Sequence, residues 1–343
     1  MEDRYIDFLD ELRKLYDERI VGESFDGDDL IKENELLSKH TTIKIGGPAR
    51  VFVVTPTYDA VVLTYKLCKK YSLRYMVLGN ASNMLFDDKE FDGVIISTDC
   101  RDSEISSINI FDKDSDDFSE FFGKFGYKDL DDLEADAFYV TAGGGARLSA
   151  FANKVGKKSL AGAEFSGGIP GSIGGAVTMN AGAYGSEIKD IIVSVRALNE
   201  DGEVVILSKD ELQLAYRKSV IQEKGYIVLE ALFALKKGNQ EEIFAKMREL
   251  NDKRRDKQPL EYPSCGSTFK RPVGGFAAQM IDESGLKGYR VGDMMISEKH
   301  AGFMVNVGNG NFHDAMEVIK HVQEKVNEKF DVELEPEVRI ISE

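Results

Sequence analysis

A stretch of twenty residues that is unusually rich in glycine constrains this chain more than any other feature. Residues 166–185 read SGGIPGSIGGAVTMNAGAYG and hold seven glycines. Glycine adopts positive φ angles and allows close approach to the backbone N–H groups, so tight glycine turns can cradle phosphate groups. A single pair of glycines would indicate only a tight turn. Because Gly143-Gly144-Gly145 lies just upstream, the clusters together favour a large ligand that carries phosphate.

Two common nucleotide-binding motifs are absent from the sequence. No GxxxxGK[ST] occurs, which leaves a P-loop ATPase without support. Leu148 stands where the Rossmann pattern GxGxxG would need a glycine. A bound dinucleotide would therefore be held by a different fold. The formal net charge of −16 also argues against a general nucleic-acid binder, because such proteins need a basic face.

Strand and helix patterns alternate along most of the chain, which is typical of an α+β protein. The first 38 residues predict a helical extension, since apolar residues recur at helical spacing from Ile6 to Ile20. Asp201-Gly202 is a hairpin signal between two β-rich runs. The other strands are expected at 49–54, 74–78, 93–97, 138–141, 302–307 and 338–341, and the helices at 58–71, 147–155, 238–255, 277–284 and 313–329.

Residues 101–136 differ from the rest of the chain in composition. They hold twelve acidic and four basic residues, with five phenylalanines among them. The pattern predicts an exposed insertion with some helix over 116–125. A partner-binding surface is the alternative interpretation.

Cysteine, histidine and charge positions bear on the compartment. Cys68, Cys100 and Cys265 are scattered without CxxC spacing, which fits a reducing compartment and no structural zinc. The four histidines are dispersed and form no HExxH motif, so we expect no metal site. Charges interrupt the N-terminal apolar pattern, and no apolar run approaches the ~18 residues of a membrane helix. The sequence therefore predicts a cytoplasmic protein without a secretory signal or membrane insertion.

Seven blocks of sequence point to one known family. They read GGIPGSIGGAVTMNAGAYGSEI (167–188), HTTIKIGGPAR (40–50), LGNASNMLF (78–86), AYRKS (215–219), KQPLEYPSCGSTFKRP (257–272), ESGLKGYRVGDMMISEKHAGFMVN (283–306) and LEPEVRII (334–341). Together they closely resemble the UDP-N-acetylenolpyruvoylglucosamine reductases, the MurB family, and they follow the family's order. The resemblance covers nearly everything from Thr41 onward.

The resemblance implies a two-subdomain FAD-binding fold of the vanillyl-alcohol-oxidase (PCMH) type, followed by a C-terminal α+β substrate domain. It implies FAD-binding subdomains over 39–100 and 101–224, the second containing the acidic insertion, and a substrate-binding domain over 225–343. Only 50 positions separate Arg217 from Ser267, which is similar to the shorter, second type of the family. The acidic segment 101–136 departs from the family pattern.

The reaction that the resemblance implies is a step in peptidoglycan precursor synthesis. NADPH would reduce noncovalently bound FAD, and the flavin would reduce the enolpyruvyl ether of a UDP-linked amino sugar to give UDP-N-acetylmuramate. By position in its block, Arg217 resembles the catalytic arginine that binds the carboxylate, a task that suits a bidentate cation. Ser267 matches the proton donor, and Glu337 matches the catalytic glutamate. From the residues alone, an exposed arginine and a turn serine would be the commoner interpretations.

The matching blocks also imply which residues contact the ligands. Tyr216, Lys270 and Arg271 are candidates for contacts to the UDP sugar or NADPH. Position 271 is often asparagine in the family, so Arg271 departs from its pattern. The implied FAD contacts are Gly46, Gly47, Gly79, Asn80, Ala81, Ser82, Asn83, Met84, Gly145, Gly168, Ile169, Pro170, Gly171, Ser172, Gly174, Gly175, Asn180, Gly182 and Tyr184.

Two other functions remain open at this point. One is a covalent-flavin oxidase of the same superfold that acts on an alcohol or a sugar. Such enzymes commonly attach FAD through histidine or cysteine, yet neither residue occurs between Cys100 and Cys265. The other is a catalytically inactive flavin-binding or nucleotide-binding module. The joint presence of Arg217, Ser267 and Glu337 speaks against it.

Overall fold

The computed structural model describes residues 2–20, 27–111 and 137–342. The chain divides into two units, each built from three separate stretches of sequence. The first unit holds Met1–Lys32, Phe52–Asn80 and Val94–Asn251, and the second holds Glu33–Val51, Ala81–Gly93 and Asp252–Glu343. The predicted helical segment 116–125 lies outside the described residues.

The helices and strands follow the alternation expected from the sequence. The helices are α1 (Glu2–Arg19), α2 (Gly27–Leu30), α3 (Tyr58–Lys70), α4 (Leu148–Lys157), α5 (Ile173–Thr178), α6 (Val220–Lys224), α7 (Gln240–Lys257), α8 (Ala277–Glu283) and α9 (Phe312–Phe330). The strands are β1 (Ile31–Leu36), β2 (Pro48–Val54), β3 (Tyr75–Leu78), β4 (Met84–Phe86), β5 (Phe91–Ser97), β6 (Ile108–Phe111), β7 (Ala137–Gly143), β8 (Leu160–Ala161), β9 (Gly182–Ala183), β10 (Ser186–Glu187), β11 (Ile192–Leu198), β12 (Val204–Ser208), β13 (Ile227–Lys237), β14 (Ser264–Ser267), β15 (Arg290–Val291), β16 (Met294–Ile296), β17 (Phe303–Asn306) and β18 (Arg339–Ile341). Within the described part of the chain, no helix has both the length and the apolarity to span a bilayer.

The first unit is built around an antiparallel sheet with the strand order β12-β11-β13-β7-β6, and β8 also pairs with β13. Side chains of β13 and β7 alternate between the two faces. One face packs against α4 and α5, where Phe151 and Phe233 meet with ring centroids 4.8 Å apart. Because α4 and α5 are packed on this face, the glycine-rich loops that lead into them are fixed relative to the sheet.

The N-terminal segment is part of the first unit. Phe8 and Leu12 of α1 are fully buried, and the Tyr16 hydroxyl bonds to the Thr64 hydroxyl of α3 at 2.8 Å. The expectation of a helical extension over residues 1–38 needs correction at its end, because Ile31–Leu36 form strand β1. Strand β1 lies beside β2 in its sheet. The helical periodicity of residues 6–20 therefore does not extend to residues 31–36, where pairing with another strand determines the structure.

The acidic segment also begins inside the fold. Strand β6 pairs with β7, with Ile108 opposite Ala142 and Phe111 opposite Tyr139. Ile105 is fully buried, so the expected exposed insertion over 101–136 is wrong for its first part. Ile105 and Ile108 of this stretch are buried, whereas most of the acidic residues of 101–136 lie further along the chain. Residues 112–136 lie outside the described residues.

The hairpin predicted at Asp201-Gly202 is present. Leu198 pairs with Val204, and Gly202 has a φ of 79°, which suits glycine in a tight turn. Strand β13 follows and bonds to both β11 and β7. The last stretch of the first unit therefore ends at Asn251, whereas the sequence predicted that the C-terminal domain begins at residue 225.

The second unit combines an antiparallel sheet, in the order β14-β17-β16-β15, with the parallel pair β18-β4. Helix α9 packs its apolar stripe, including Val318 and Val322, into the unit's core. Ile43, Ile45 and Leu85 belong to that same core although they lie far away in sequence. Distant segments of the chain are thus needed to complete this unit.

Candidate functional site

Two of the predicted cofactor loops meet in the first unit. The Asn80 side chain donates a 2.7 Å hydrogen bond from Nδ2 to the carbonyl of Pro170. A Cβ placed on Gly79 would lie 2.2 Å from the Ser172 hydroxyl, so a larger residue there would require the Ser172 side chain to move. The loop after β3 and the loop before α5 are therefore in direct contact.

The glycine triplet after β7 joins the same group of loops. The N–H of Gly174 bonds to the carbonyl of Gly144 at 2.8 Å. A Cβ on Gly145 would lie 2.0 Å from the carbonyl oxygen of Thr98. Backbone and side-chain contacts thus bring together three loops that the sequence assigned to FAD. The close approach of a backbone carbonyl accounts for the glycine at position 145.

Several backbone donors at the end of β3 are not used within the protein. Among the described residues, the N–H groups of Ala81, Ser82 and Asn83, all in the second unit, donate no hydrogen bond. Ala81 is nonetheless only 7% exposed and has a φ of 43°. Buried N–H groups normally find a partner. These donors fit an anionic ligand such as the diphosphate of FAD.

Arg217 lies in a tight turn with an unusual backbone. Ala215 and Lys218 exchange both backbone hydrogen bonds, at 3.1 and 3.2 Å, and Arg217 between them has a φ of 55°. Such a φ favours glycine or asparagine and costs a residue with a Cβ about 1–2 kcal/mol. Its guanidinium carbon is 5.2 Å from the centre of the Tyr216 ring, and Tyr216 is 54% exposed. A charged residue kept at such a position suggests a functional reason.

Tyr184 occupies a similar position in the hairpin of β9 and β10. Tyr184 and Gly185 both have positive φ values, 55° and 90°, as a two-residue hairpin loop requires. The Tyr184 ring is 48% exposed. Gly182 is close to Glu187, which pairs with it across the hairpin. The hairpin thus presents an aromatic side chain at its tip.

Ser267 and Cys265 of the second unit point in different directions because of a β-bulge. Ser264 pairs with Val305 and Ser267 with Phe303, so β14 holds one extra residue at this point. Gly266 has a φ of 79°, the conformation of a glycine in a bulge. Cys265 is 1% exposed and belongs to the core, whereas Ser267 is only partly buried. Burial raises the pKa of the Cys265 thiol to about 12.

Glu337 is held next to Ser267 in the same unit. The N–H of Glu337 donates to the carbonyl of Thr268 at 2.8 Å, directly after Ser267 in the chain. The Asn83 side chain donates to the carbonyl of Glu337 at 3.0 Å. The structure therefore brings together three of the predicted residues, Ser267, Glu337 and Asn83.

The two predicted basic residues that follow Ser267 have partners on the surface. Lys270 forms an ion pair with Glu335 across the strand, supported by a backbone bond from the Lys270 N–H to the Glu335 carbonyl at 2.9 Å. The guanidinium carbon of Arg271 lies 4.6 Å from the centre of the exposed Phe276 ring. Both side chains are therefore engaged in contacts within the second unit.

The other predicted cofactor positions lie at loop ends. Gly46 and Gly47 accept backbone bonds from Ser38 and Leu37. Met84 begins β4 and pairs with Arg339. Ile169 and Gly171 lie in the loop before α5, Gly175 lies in the first turn of α5, and Gly168 ends the short 3-10 helix that precedes the loop.

Sequence reasoning missed an ion pair beside the glycine triplet. Nη2 of Arg147 lies 3.1 Å from both carboxylate oxygens of Asp99, and the Arg147 backbone forms an isolated bridge with Ser172. The only available signal was that Arg147 lies two positions after the triplet. In the described ranges, no group of three or more histidine, cysteine or acidic side chains is arranged to hold a metal ion.

Comparison with known proteins covers nearly the whole chain. Residues 258–341 match the family described as UDP-N-acetylenolpyruvoylglucosamine reductase, C-terminal domain, and residues 124–208 match an FAD binding domain. The chain is 48% identical over 310 residues to the UDP-N-acetylenolpyruvoylglucosamine reductase of Lachnoclostridium phytofermentans, which covers 90% of this chain and 92% of the relative. The corresponding protein of Clostridium novyi is 44% identical over 313 residues, or 91% of this chain and 92% of the relative.

A solved structure shows the same likeness. The crystal structure of UDP-N-acetylenolpyruvylglucosamine reductase (MurB) from Thermus caldophilus matches with a TM-score of 0.70 and 31% identity. The match covers 90% of this chain and 98% of that chain. It confirms the α+β fold expected from the sequence.

Proposed function

The chain belongs to the UDP-N-acetylenolpyruvoylglucosamine reductase family, and we propose that it reduces UDP-N-acetylglucosamine enolpyruvate to UDP-N-acetylmuramate in peptidoglycan synthesis. NADPH is the electron donor and FAD is the cofactor. The observation that carries this proposal is 48% identity over 90% of the chain to a relative of that name. The unused N–H donors of residues 81–83 supply what a diphosphate-bearing cofactor needs.

When bound, FAD would supply the redox chemistry, which is the transfer of a hydride from NADPH to the terminal carbon of the enolpyruvyl group. The protein binds and orients the reactants. Its loops after β3, after β7 and before α5 contact one another in the first unit. We propose that they hold the cofactor through backbone N–H groups, with Tyr184 as a further contact.

Arg217 holds the substrate carboxylate in this proposal. Negative charge builds up on that carboxylate as the hydride arrives, and a fixed bidentate donor stabilises it more than a flexible one. The tight turn restricts the backbone of Arg217, which fixes the point from which its side chain extends. Tyr216 and the Lys270 and Arg271 pair of basic residues are proposed contacts to the UDP sugar or to NADPH.

Ser267 donates the proton to the carbon adjacent to the one that receives the hydride. The bulge at Gly266 turns its hydroxyl away from the core that holds Cys265. The backbone of Glu337 is held by its hydrogen bond to the Thr268 carbonyl. Its side chain orients the substrate carboxylate or shares a proton with it. The geometry supports Ser267 over Cys265 as the acid, because the thiol has no route to a bound ligand through the core.

The same proposal covers location and domain roles. We place the protein in the cytoplasm, where cysteines such as the unpaired Cys68, Cys100 and Cys265 stay reduced. Residues 39–100 and 101–224 supply the FAD-binding subdomains, and 225–343 supply the substrate domain. No nucleic-acid partner is proposed, given the net charge of −16.

We expect the purified protein to be yellow and to oxidise NADPH much faster when UDP-N-acetylglucosamine enolpyruvate is added. The measurement is the loss of nicotinamide absorbance with and without that substrate. Acid precipitation should release the flavin into the supernatant. The proposal would be contradicted if the protein takes up no FAD, or if the rate of NADPH oxidation is the same with and without the substrate. Flavin retained in the pellet would favour the covalent oxidase instead.

Deleting residues 104–134 is expected to weaken FAD binding, contrary to what the sequence alone suggested. The deletion removes β6 and the carbonyls of Ile105 and Ser107, which accept the N–H groups of Gly145 and Gly143 at 2.9 Å. Deleting only residues 112–134 leaves these contacts intact and is the matched control. FAD dissociation constants from fluorescence quenching compare the two. Equal affinities would mean that β6 does not support the cofactor loops.

A further inference from the structure

Asn180 is buried just after the end of α5, and its side chain makes three hydrogen bonds within the protein. It is 1% exposed and has a φ of 43°. Nδ2 donates to Glu187 Oε2 at 2.8 Å and to the Ala215 carbonyl at 3.2 Å. Oδ1 accepts the N–H of Lys189 at 3.0 Å. Both amide hydrogens and one acceptor site of the side chain are therefore used inside the protein.

The sequence assigned Asn180 to FAD, but these contacts lead elsewhere. Ala215 is the first residue of the turn that carries Arg217, and Asn180 holds its carbonyl. From the geometry we infer that Asn180 is a positioning residue for Arg217. The inference rests on the proposed function, since it concerns the arginine that binds the substrate carboxylate.

The Arg217 turn is fixed on both sides by the same short segment. Before the turn, Asn180 bonds to the Ala215 carbonyl. After it, the Ser219 hydroxyl donates to the Thr178 carbonyl at 2.7 Å and also caps α6 by accepting the Gln222 N–H at 3.1 Å. Residues 178–180 therefore hold the turn at both ends, which compensates for the strained φ of Arg217.

Glu187 fixes the orientation of the Asn180 amide. Its carboxylate accepts from Nδ2 and forms an ion pair with Lys189. The Lys189 N–H meanwhile bonds to Oδ1, so rotating the amide by half a turn would place donor against donor and acceptor against acceptor. The amide is thus held with its donors toward the Arg217 turn.

Asn180→Gly tests the inference with little effect on the backbone, because glycine accepts a φ of 43°. A shift of ~1 Å in a substrate-orienting group can cost on the order of 10²-fold in rate. We expect reoxidation of the reduced flavin by UDP-N-acetylglucosamine enolpyruvate to slow by roughly 10- to 100-fold. Flavin reduction by NADPH and the FAD dissociation constant should change less than about twofold. Stopped-flow absorbance and fluorescence quenching measure these quantities.

A matched control is available in the same unit. Asn199 is also buried, and its side chain also makes three hydrogen bonds, to Glu203 Oε2 and from the N–H groups of Asp201 and Glu203. It lies in the hairpin between β11 and β12, away from the Arg217 turn in sequence. Asn199→Gly should leave reoxidation nearly unchanged.

The decisive comparison introduces Asn180→Gly into an Arg217→Lys background. If Asn180 acts through Arg217, its effect on reoxidation should shrink to less than about threefold there, because coupled residues are not additive. Equal effects in both backgrounds would overturn the inference, and so would weakened FAD binding together with normal reoxidation of the flavin that remains bound. If Asn180→Gly does not fold, Ser219→Ala removes the other contact and carries the same expectation. If the substrate does not accelerate NADPH oxidation by the wild-type protein, the proposed function itself is wrong. If the protein is active but the two substitutions lower the reoxidation rate additively, only the role of Asn180 is wrong.

Discussion

Replacing Arg217 by lysine is expected to lower substrate-dependent turnover on the order of 10²–10³-fold, although the positive charge is retained. Lysine is a point charge and cannot make the paired planar contact that a guanidinium makes with a carboxylate. The substituted residue would occupy the same turn, so the change isolates the bidentate contact. Steady-state kcat/KM and single-turnover reoxidation of the flavin measure the loss.

Two further variants separate catalysis from folding at this position. Arg217→Gly should abolish turnover yet leave the free energy of unfolding unchanged or raised by about 1 kcal/mol, because it relieves the positive φ of Arg217. Arg248→Lys, on the exposed side of α7, is the control and should behave as wild type. Near-normal turnover in Arg217→Lys would show that this arginine does not bind the substrate carboxylate.

Replacing Ser267 by alanine is expected to stop only one of the two half-reactions. NADPH should still reduce the flavin, because that step needs no proton on the substrate. Reoxidation by the enolpyruvyl substrate should then slow by about 10²–10⁴-fold, the usual contribution of a general acid. Stopped-flow absorbance follows the two half-reactions separately.

Cys265→Ala is the matched comparison, two residues earlier in the same strand. By intrinsic acidity the thiol would be the better acid, with an ordinary pKa near ~8.5. Its burial in the core and its raised pKa of about 12 remove that advantage. We therefore expect both half-reactions to change little in Cys265→Ala. Stalled reoxidation in this variant, with normal reoxidation in Ser267→Ala, would mean that the wrong residue was chosen as the acid.

Local patterns were sufficient to predict the elements that depend on neighbouring residues. The helix periodicity over 58–71 and 313–329 corresponds to α3 and α9, and Asp201-Gly202 does form the turn between β11 and β12. Strands β1 and β6 were missed because their character comes from partners elsewhere in the chain. In β6 the few apolar residues are followed by a long acidic run, so composition concealed the strand.

The candidate site shows the same limit of local reasoning. The glycine clusters predicted phosphate-binding loops, yet the close contact of Gly79 with Ser172 joins residues that are far apart in sequence. The role of Asn180 depends on the carbonyl of Ala215, which lies 35 positions further along. The resemblance selected Ser267 over Cys265, but the bulge at Gly266 gives the physical reason. No pattern of residue types could reveal that reason before the register was known.

The way the chain passes between its two units has a consequence for synthesis on the ribosome. The second unit needs residues 33–51 and 81–93 as well as everything from Asp252 to the end. Ile43, Ile45 and Leu85 therefore emerge early but have no core until α9 and β17 have been made. Apolar side chains that wait for distant partners are prone to aggregation. Nascent chains that end before Asp252 are thus the form of this protein that chaperones and proteases would engage most readily.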